Sequence, residues 1–215
     1  NAATSQKVSI IIPTNGASRF VRGEDRVLID GAIQSICETS THHDFEIILV
    51  LDQRTDDRLA ERLTGIDPRV RVVRNTRPFN YSQANNLGAS AAVGEVLLFL
   101  NDDTEVVTEN WLERLLMLVN LKGVGAVGAR LDFEDGRIQH AGVMARTVPQ
   151  HRARGAKHPY YGLMGGLQVC VHNASIVTGA CLAVSTEAFF DVGGFNRDLP
   201  VNFNDVDLCL KLIHK

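Results

Sequence analysis

The chain has 215 residues, 45% apolar and 22% charged, an ordinary globular composition with room for one large domain or two small ones. Its net charge of −3 excludes a general nucleic-acid binder, so any affinity for phosphate must come from a local site. No apolar run approaches the roughly 18 residues needed to span a membrane, and no signal-peptide pattern opens the chain. The expectation is a cytoplasmic protein, reaching the inner face of a membrane only through segments outside this sequence.

Asn1-Ala2-Ala3 reads as an expression scar and is set aside. Residues 8–12 form an apolar strand stopped by Pro13. A polar loop over 14–26 carries Arg19, Arg22 and Arg26, which either reach a phosphate ligand or solvate the loop. Leu28, Ile29, Ala32, Ile33 and Ile36 have helical spacing. Residues 45–51 form the next strand, ending at Asp52; 58–63 suggest a short helix and 70–73 a third strand. Ser82 is positioned to N-cap a helix of small residues through Val93. Residues 95–100 are the fourth strand, 111–119 an amphipathic helix with Trp111 in the core, and 124–129 strand-like. This alternation predicts an α/β fold around a mostly parallel sheet with right-handed crossovers.

The pattern then changes. Glu134-Asp135-Gly136 between short apolar stretches signals a hairpin over 131–143. Residues 145–168 read as a long loop rich in Arg, His, Gly and Tyr. Its Arg146, His151, Arg152, Arg154 and His158 either attract donor phosphates as a lid closes or belong to a solvated loop. Strand character returns over 169–184, interrupted at Thr178-Gly179-Ala180. A short helix over 186–192 precedes a sharp Gly193-Gly194-Phe195 turn. Asp205 opens a last helical pattern that the sequence leaves without a cap or a following Gly, which suggests a piece of a longer protein. Cys37, Cys170, Cys181 and Cys209 form no CxxC pair and are expected to be small buried hydrophobes.

The strongest chemical signal is Asn101-Asp102-Asp103 after the run Val96-Leu97-Leu98-Phe99-Leu100. Ligands of open α/β sheets bind just beyond the carboxyl ends of strands. Two adjacent carboxylates there repel one another unless a cation sits between them. Oxygen ligands suit Mn²⁺ or Mg²⁺, which commonly hold substrate phosphates as well. The alternative is a solvated acidic turn capping the helix that begins near Thr108. Asp52, at its own strand's mouth, can accept a hydrogen bond from a nucleobase or ribose, or cap the helix after it. Asp205 and Asp207 either complement a helix dipole or include a general base.

Several blocks in fixed order make the chain resemble glycosyltransferase family 2, with its GT-A fold. They are Val8-Ser9-Ile10-Ile11-Ile12-Pro13-Thr14, Phe45 through Asp52, Phe79-Asn80-Tyr81-Ser82, Asn85-Asn86-Leu87-Gly88, and Gly94-Glu95 through Glu105. Later come Gly125-Ala126-Val127-Gly128-Ala129, Ile138-Gln139-His140-Ala141-Gly142, Thr178-Gly179-Ala180-Cys181, Gly193-Gly194-Phe195 and Asn204 through Leu210. The nearest flavour is the rhamnosyltransferase-like branch.

The resemblance implies a single domain over 7–215, with a nucleotide-binding half at 7–130 and an acceptor and catalytic half at 131–215 that includes a smaller β region. It implies a metal-dependent, inverting transfer from a nucleoside-diphosphate sugar to a hydroxyl of a glycan or lipid-linked acceptor, in polysaccharide or cell-wall biosynthesis. Pro13, Thr14 and Asp52 would hold the nucleoside. Asn101-Asp102-Asp103 takes the place of the DxD motif, with Asp103 on Mn²⁺ or Mg²⁺ and Asp102 on ribose, diphosphate or metal. Asp205 would be the base and Asp207 its support. Gly179, Ala180, Gly193 and Gly194 would lie under the sugar and acceptor. The chain departs from the family at Gln53-Arg54-Thr55 and in its long, Arg-bearing 15–26 segment, and His214 is a poor match for the family's later histidine. His140, although in a matching block, is expected to be structural. A non-catalytic nucleotide-sugar-binding domain is the alternative. A nucleotidyltransferase ranks low, because no compact Gly-rich loop follows the first strand.

Overall fold

The computed structural model describes residues 5–21, 23–145, 148–157 and 170–215. In chain order the elements are β1 (Val8–Thr14), β2 (Ser18–Val21), β3 (Glu24–Val27), α1 (Leu28–Thr39), β4 (Phe45–Asp52), α2 (Asp57–Thr64) and β5 (Val70–Asn75). Then come α3 (Tyr81–Ala91), β6 (Val96–Leu100), α4 (Trp111–Val119), β7 (Val127–Gly128), β8 (Leu131–Asp132), β9 (Ile138–His140), β10 (Val143–Met144) and β11 (Gln150–His151). The last are β12 (Cys181–Ser185), α5 (Thr186–Asp191) and α6 (Asn204–His214).

Six strands form the central sheet in the order β5-β4-β1-β6-β12-β7. The first four run parallel, with Ile10 opposite both Ile47 and Leu98. Every residue of β1 and β6 is buried, because helices cover both faces, and two-sided burial is what selects continuous apolar runs. The period of two along each strand divides the core. Ile10, Ile12, Ile47, Leu49, Leu98 and Leu100 pack under α1 and α4 with Ile33, Ile36, Leu112 and Leu116. Ile11, Ile48, Val50, Leu97 and Phe99 pack under α3, α5 and α6 with Ala84, Phe189 and Leu208. Burying each such large side chain contributes about 1.5–3 kcal/mol. α3 approaches the sheet so closely that a Cβ at Gly88 would lie 2.4 Å from Ile11 Cγ2, which explains its small residues.

A buried carboxylate fastens the opposite edge. Glu46 Oε1 accepts from Ser9 Oγ at 2.6 Å and from the Val93 N–H at 2.9 Å, and Oε2 accepts from Arg71 Nε at 2.7 Å. Burial alone would raise this carboxyl, but the donors outweigh it and hold Glu46 below the usual range. β1, β4, β5 and the loop before β6 are thereby tied at one point.

The structure departs from the sequence reading in several places. Ser18–Val21 and Glu24–Val27, the former and most of the latter expected as loop, pair instead as an antiparallel hairpin, β2–β3. β12 is reversed, pairing antiparallel with both β6 and β7. Of the strand-like 124–129 stretch only β7 is strand, and in the described part of 169–184 strand begins at Cys181. Asn80, not Ser82, caps α3, accepting from the Gln83 N–H at 2.9 Å. The helix starts one residue before Ser82, whose hydroxyl turns inward to the Leu199 carbonyl at 2.6 Å. Cys181 and Cys209 are buried, but Cys37 is only half-buried and Cys170 is exposed. The Glu134-Asp135-Gly136 turn does join a hairpin, β8–β9, with Gly136 at φ 77°. Trp111 is 8% exposed and donates its indole N–H to Ser40 Oγ. Arg22, Arg146 and His158 lie outside the described residues.

Candidate active site

β4 and β5 extend the sheet on one side of β1, and β6 returns to the other side. Chain order therefore reverses between β1 and β6, and the crevice at their carboxyl ends is where such sheets bind ligands. Thr14 ends β1 there and Asn101-Asp102-Asp103 follows β6. The Thr14 hydroxyl donates to Asp102 Oδ2 across the crevice at 2.6 Å and accepts from the Gly16 N–H at 3.0 Å. Pro13 is buried in the same strand, opposite Val50. Burial pushes the Asp102 carboxyl up; the Thr14 bond opposes this, the Asp103 charge adds to it, and Arg19 opposes it weakly. Asp103 is more exposed, with Arg19 Nη1 3.3 Å from its Oδ2.

Asp52 ends β4 opposite Asn75 on that same edge. Its Oδ1 accepts from the Arg54 N–H at 2.9 Å, whereas α2 is capped by Asp56. Asp52 therefore does not serve as a helix cap.

The reversed β12 brings the second half of the chain to this edge. Because it is antiparallel, its first residue, Cys181, lies opposite Leu100, and the Asn101 N–H donates to the Ala180 carbonyl at 3.1 Å. The preceding Gly179 N–H donates to Asp205 Oδ2 at 3.0 Å. Asp205 Oδ1 accepts from the Val206 N–H at 2.8 Å, so both carboxylate oxygens are held. Asp205 stands in the first turn of α6, after Phe203 in a left-handed conformation with φ 63°. That conformation is uncommon for a bulky residue.

Tyr81, which stands in one of the matching blocks but carries no role in the sequence reading, joins these pieces. Its hydroxyl donates to the Gly179 carbonyl at 2.8 Å and lies 3.3 Å from Asn101 Oδ1. Burial raises the phenol, with smaller contributions from the Asp205 and Asp102 charges, so it remains a neutral donor. The available signal was a tyrosine at the head of an otherwise small-residue helix, since a buried phenol needs a partner.

Asp207 points elsewhere. It pairs with Lys211 at 2.6 Å, and Lys211 also donates to the Gly194 carbonyl at 3.1 Å. Gly193 and Gly194, at φ 78° and 67°, make a turn that only a residue without Cβ adopts freely. They line a separate cavity of about 530 Å³ with Asn86, Phe195, Arg197 and Lys211. Asp52, Asp102, Asp103 and Asp205 do not line that cavity.

His140, 1% exposed, accepts from the Gly142 N–H at Nε2 (3.2 Å), and its Nδ1 lies 2.9 Å from Nδ1 of His151. Burial, with the nearby His151 and His172, lowers His140 from the usual 6.5 to about 3. From this hydrogen-bond pattern its proton is assigned to Nδ1 and is donated to His151, whose own proton is then on Nε2. Burial and Arg154 also lower His151, against the pull of Asp205.

Among the described residues, no three His, Cys, Asp or Glu side chains converge as a metal cage made by protein alone. Asp102 and Asp103 instead match cations held by one or two carboxylates plus substrate phosphates. The raised Asp102 carboxyl fits this, because a cation would relieve the burial and the neighbouring charge that raise it. No helix among the described residues is long and apolar enough to cross a membrane.

The comparisons with known proteins agree with this architecture. The chain is 39% identical over 213 residues to the protein y4gI of Sinorhizobium fredii, covering 95% of this chain and 22% of that protein. It is 35% identical over 214 residues to the O-antigen biosynthesis protein RfbC of Myxococcus xanthus, covering 96% and 16%. The chain thus spans about a fifth of the length of these curated relatives. Two solved structures share the GT-A fold at 18% identity, each matching 96% of this chain. One is the mannosyltransferase PcManGT of Pyrobaculum calidifontis in complex with GDP-Man and Mn²⁺, with TM-score 0.67 over 52% of its chain. The other is GalNAc-T7 with UDP, GalNAc and Mn²⁺, with TM-score 0.69 over 40% of its chain. The family model described as Glycosyl transferase family 2 matches residues 9–191, and the chain belongs to that family.

Proposed function

We propose that the chain is the catalytic domain of an inverting glycosyltransferase. It moves a sugar from a nucleoside diphosphate to a hydroxyl of a glycan or lipid-linked acceptor in polysaccharide assembly. The observation that carries this reading is the path from Asn101 through Ala180 and Gly179 to Asp205, which joins two acidic centres through one strand end. In this reading Asp52, Pro13 and Thr14 receive the nucleoside, and Asp102 the ribose or diphosphate. A Mn²⁺ or Mg²⁺ held at Asp103, with Asp102 beside it, would neutralise charge on the departing diphosphate.

Asp205 accepts the acceptor's hydroxyl proton as that oxygen bonds to the anomeric carbon. The bond from that carbon to the diphosphate oxygen breaks, and in-line displacement inverts the centre. The two backbone N–H groups on Asp205 fix the carboxylate before substrate arrives. Tyr81 holds Gly179 so that the first of them stays in place. Asp207 steadies α6 through Lys211.

RfbC is named for O-antigen biosynthesis, and the two structural neighbours are complexes with Mn²⁺ and nucleotides or sugars, which supports the donor class. The test is a panel of nucleotide sugars with Mn²⁺, read first as binding and then as turnover. In the full-length parent, Asp205→Asn should abolish transfer while leaving donor affinity nearly unchanged, because a base acts in the transition state. Wild-type turnover in that variant overturns the assignment. Donor binding without turnover in the wild-type parent would instead indicate a binding domain.

A further inference from the structure

The hairpin β2–β3 lies beside the crevice. Its register places Arg19 opposite Arg26 and Ser18 opposite Val27. Its base is fastened to the crevice itself: Gly16 donates to Thr14 Oγ1, and the Leu28 N–H closes on the Ala17 carbonyl at 3.1 Å. Thr14 is the residue that bonds Asp102. The two described arginines of the hairpin have different partners. Arg26 is held by Glu24 within the hairpin. Arg19 reaches out to Asp103 with a single nitrogen at 3.3 Å, and its side chain is 66% exposed.

We propose that Arg19 is an exchangeable counter-ion of Asp103, which yields this carboxylate to the divalent cation and then binds the donor's diphosphate. The inference rests on the metal–diphosphate reading of Asp103 given above.

Asp103 Oδ2 cannot serve a guanidinium and a divalent cation with equal strength, and two cations on one carboxylate repel. An exposed, single-nitrogen ion pair is weak, so the double charge displaces it. A guanidinium freed at the same edge meets the diphosphate that the cation gathers. Its planar fork suits phosphate oxygens in a bidentate manner that lysine cannot reproduce. A two-stranded hairpin has little stability of its own, so the shift strains no core element. The hairpin thus performs two tasks in sequence: it lowers the repulsion between Asp102 and Asp103 when no cation is there, and it adds positive charge to the leaving group when one is.

The experiment compares wild type, Arg19→Gln and Arg19→Lys, with folding checked by circular dichroism. Mn²⁺ alone is titrated by electron paramagnetic resonance of the free ion. UDP and GDP are then titrated by calorimetry, once with chelator and once in saturating Mn²⁺. Arg19→Gln should bind Mn²⁺ alone about two- to fivefold more tightly, because its competitor is gone. It should bind the preferred nucleotide about tenfold more weakly, because a charge-assisted contact is lost. Arg19→Lys should fall between the two in nucleotide affinity. In an Asp103→Ala background the Mn²⁺ gain should vanish. Wild type that binds Mn²⁺ and nucleotide, with Arg19→Gln matching it in either titration, overturns this proposal alone. Wild type that binds nucleotide equally with and without Mn²⁺ overturns the metal–diphosphate reading and this proposal with it.

Discussion

Replacing His140 by Gln should flatten the acid side of the protein's stability profile. His140 is lowered to about 3 in the fold from 6.5, chiefly by burial. The sign follows from proton counting. Between those values the unfolded chain binds a proton that the folded chain refuses, so acid favours unfolding. The contribution is complete above 6.5 and is lost as pH falls toward 3. From pH 7.5 to pH 5 the unfolded imidazole becomes almost fully protonated and the folded one does not. At 1.36 kcal/mol per unit, this comes to about 2 kcal/mol. The figure hardly depends on the exact folded value, provided it lies well below 5. His151 is lowered too and acts in the same direction, but it remains in the variant. Urea titrations of both proteins at several pH values supply the measurement. The readout is the difference in slope, since Gln also disturbs the Gly142 bond at every pH. Wild type should lose about 2 kcal/mol more than His140→Gln across the range. Parallel curves would refute the neutral, donor-to-His151 assignment.

Two other outcomes are expected. Asp103→Ala should leave nucleoside-diphosphate affinity nearly indifferent to Mn²⁺, whereas wild type should weaken under chelator; calorimetry with equal metal dependence in both would remove Asp103 from the metal site. Gly94→Ala should destabilise the fold by about 1–3 kcal/mol in urea unfolding, because its Cβ would lie 2.7 Å from the Lys7 carbonyl and the Ser9 nitrogen, both backbone atoms that cannot swing aside.

The parallel core was legible because burial on both faces leaves an unambiguous apolar run, as in β1 and β6. The acids at strand ends were legible for the same reason: a carboxylate is conspicuous where such a run stops. The reversal of β12 was not legible, since Cys181-Leu182-Ala183-Val184 reads alike in either direction. Nor was the hairpin β2–β3, whose Ser18, Arg19 and Phe20 are all exposed and so follow no burial pattern. Tyr81 was missed because its role depends on Gly179, 98 residues away. The Gly193-Gly194 turn was read correctly as a turn, but spacing could not say which cavity it faces.

The reversal of β12 also bears on how the chain can be divided. β12 stands between β6 and β7, so the sheet interleaves strands from both halves. A fragment ending before β12 would leave β6 as an open, wholly apolar edge, with unpaired backbone groups along Val96–Leu100. Such an edge is a template for pairing with another chain. β12 is therefore the natural shield of β6, although some eighty residues separate them. Until it has been synthesised and folded back, the nascent chain carries an exposed strand whose own completion is its protection against aggregation.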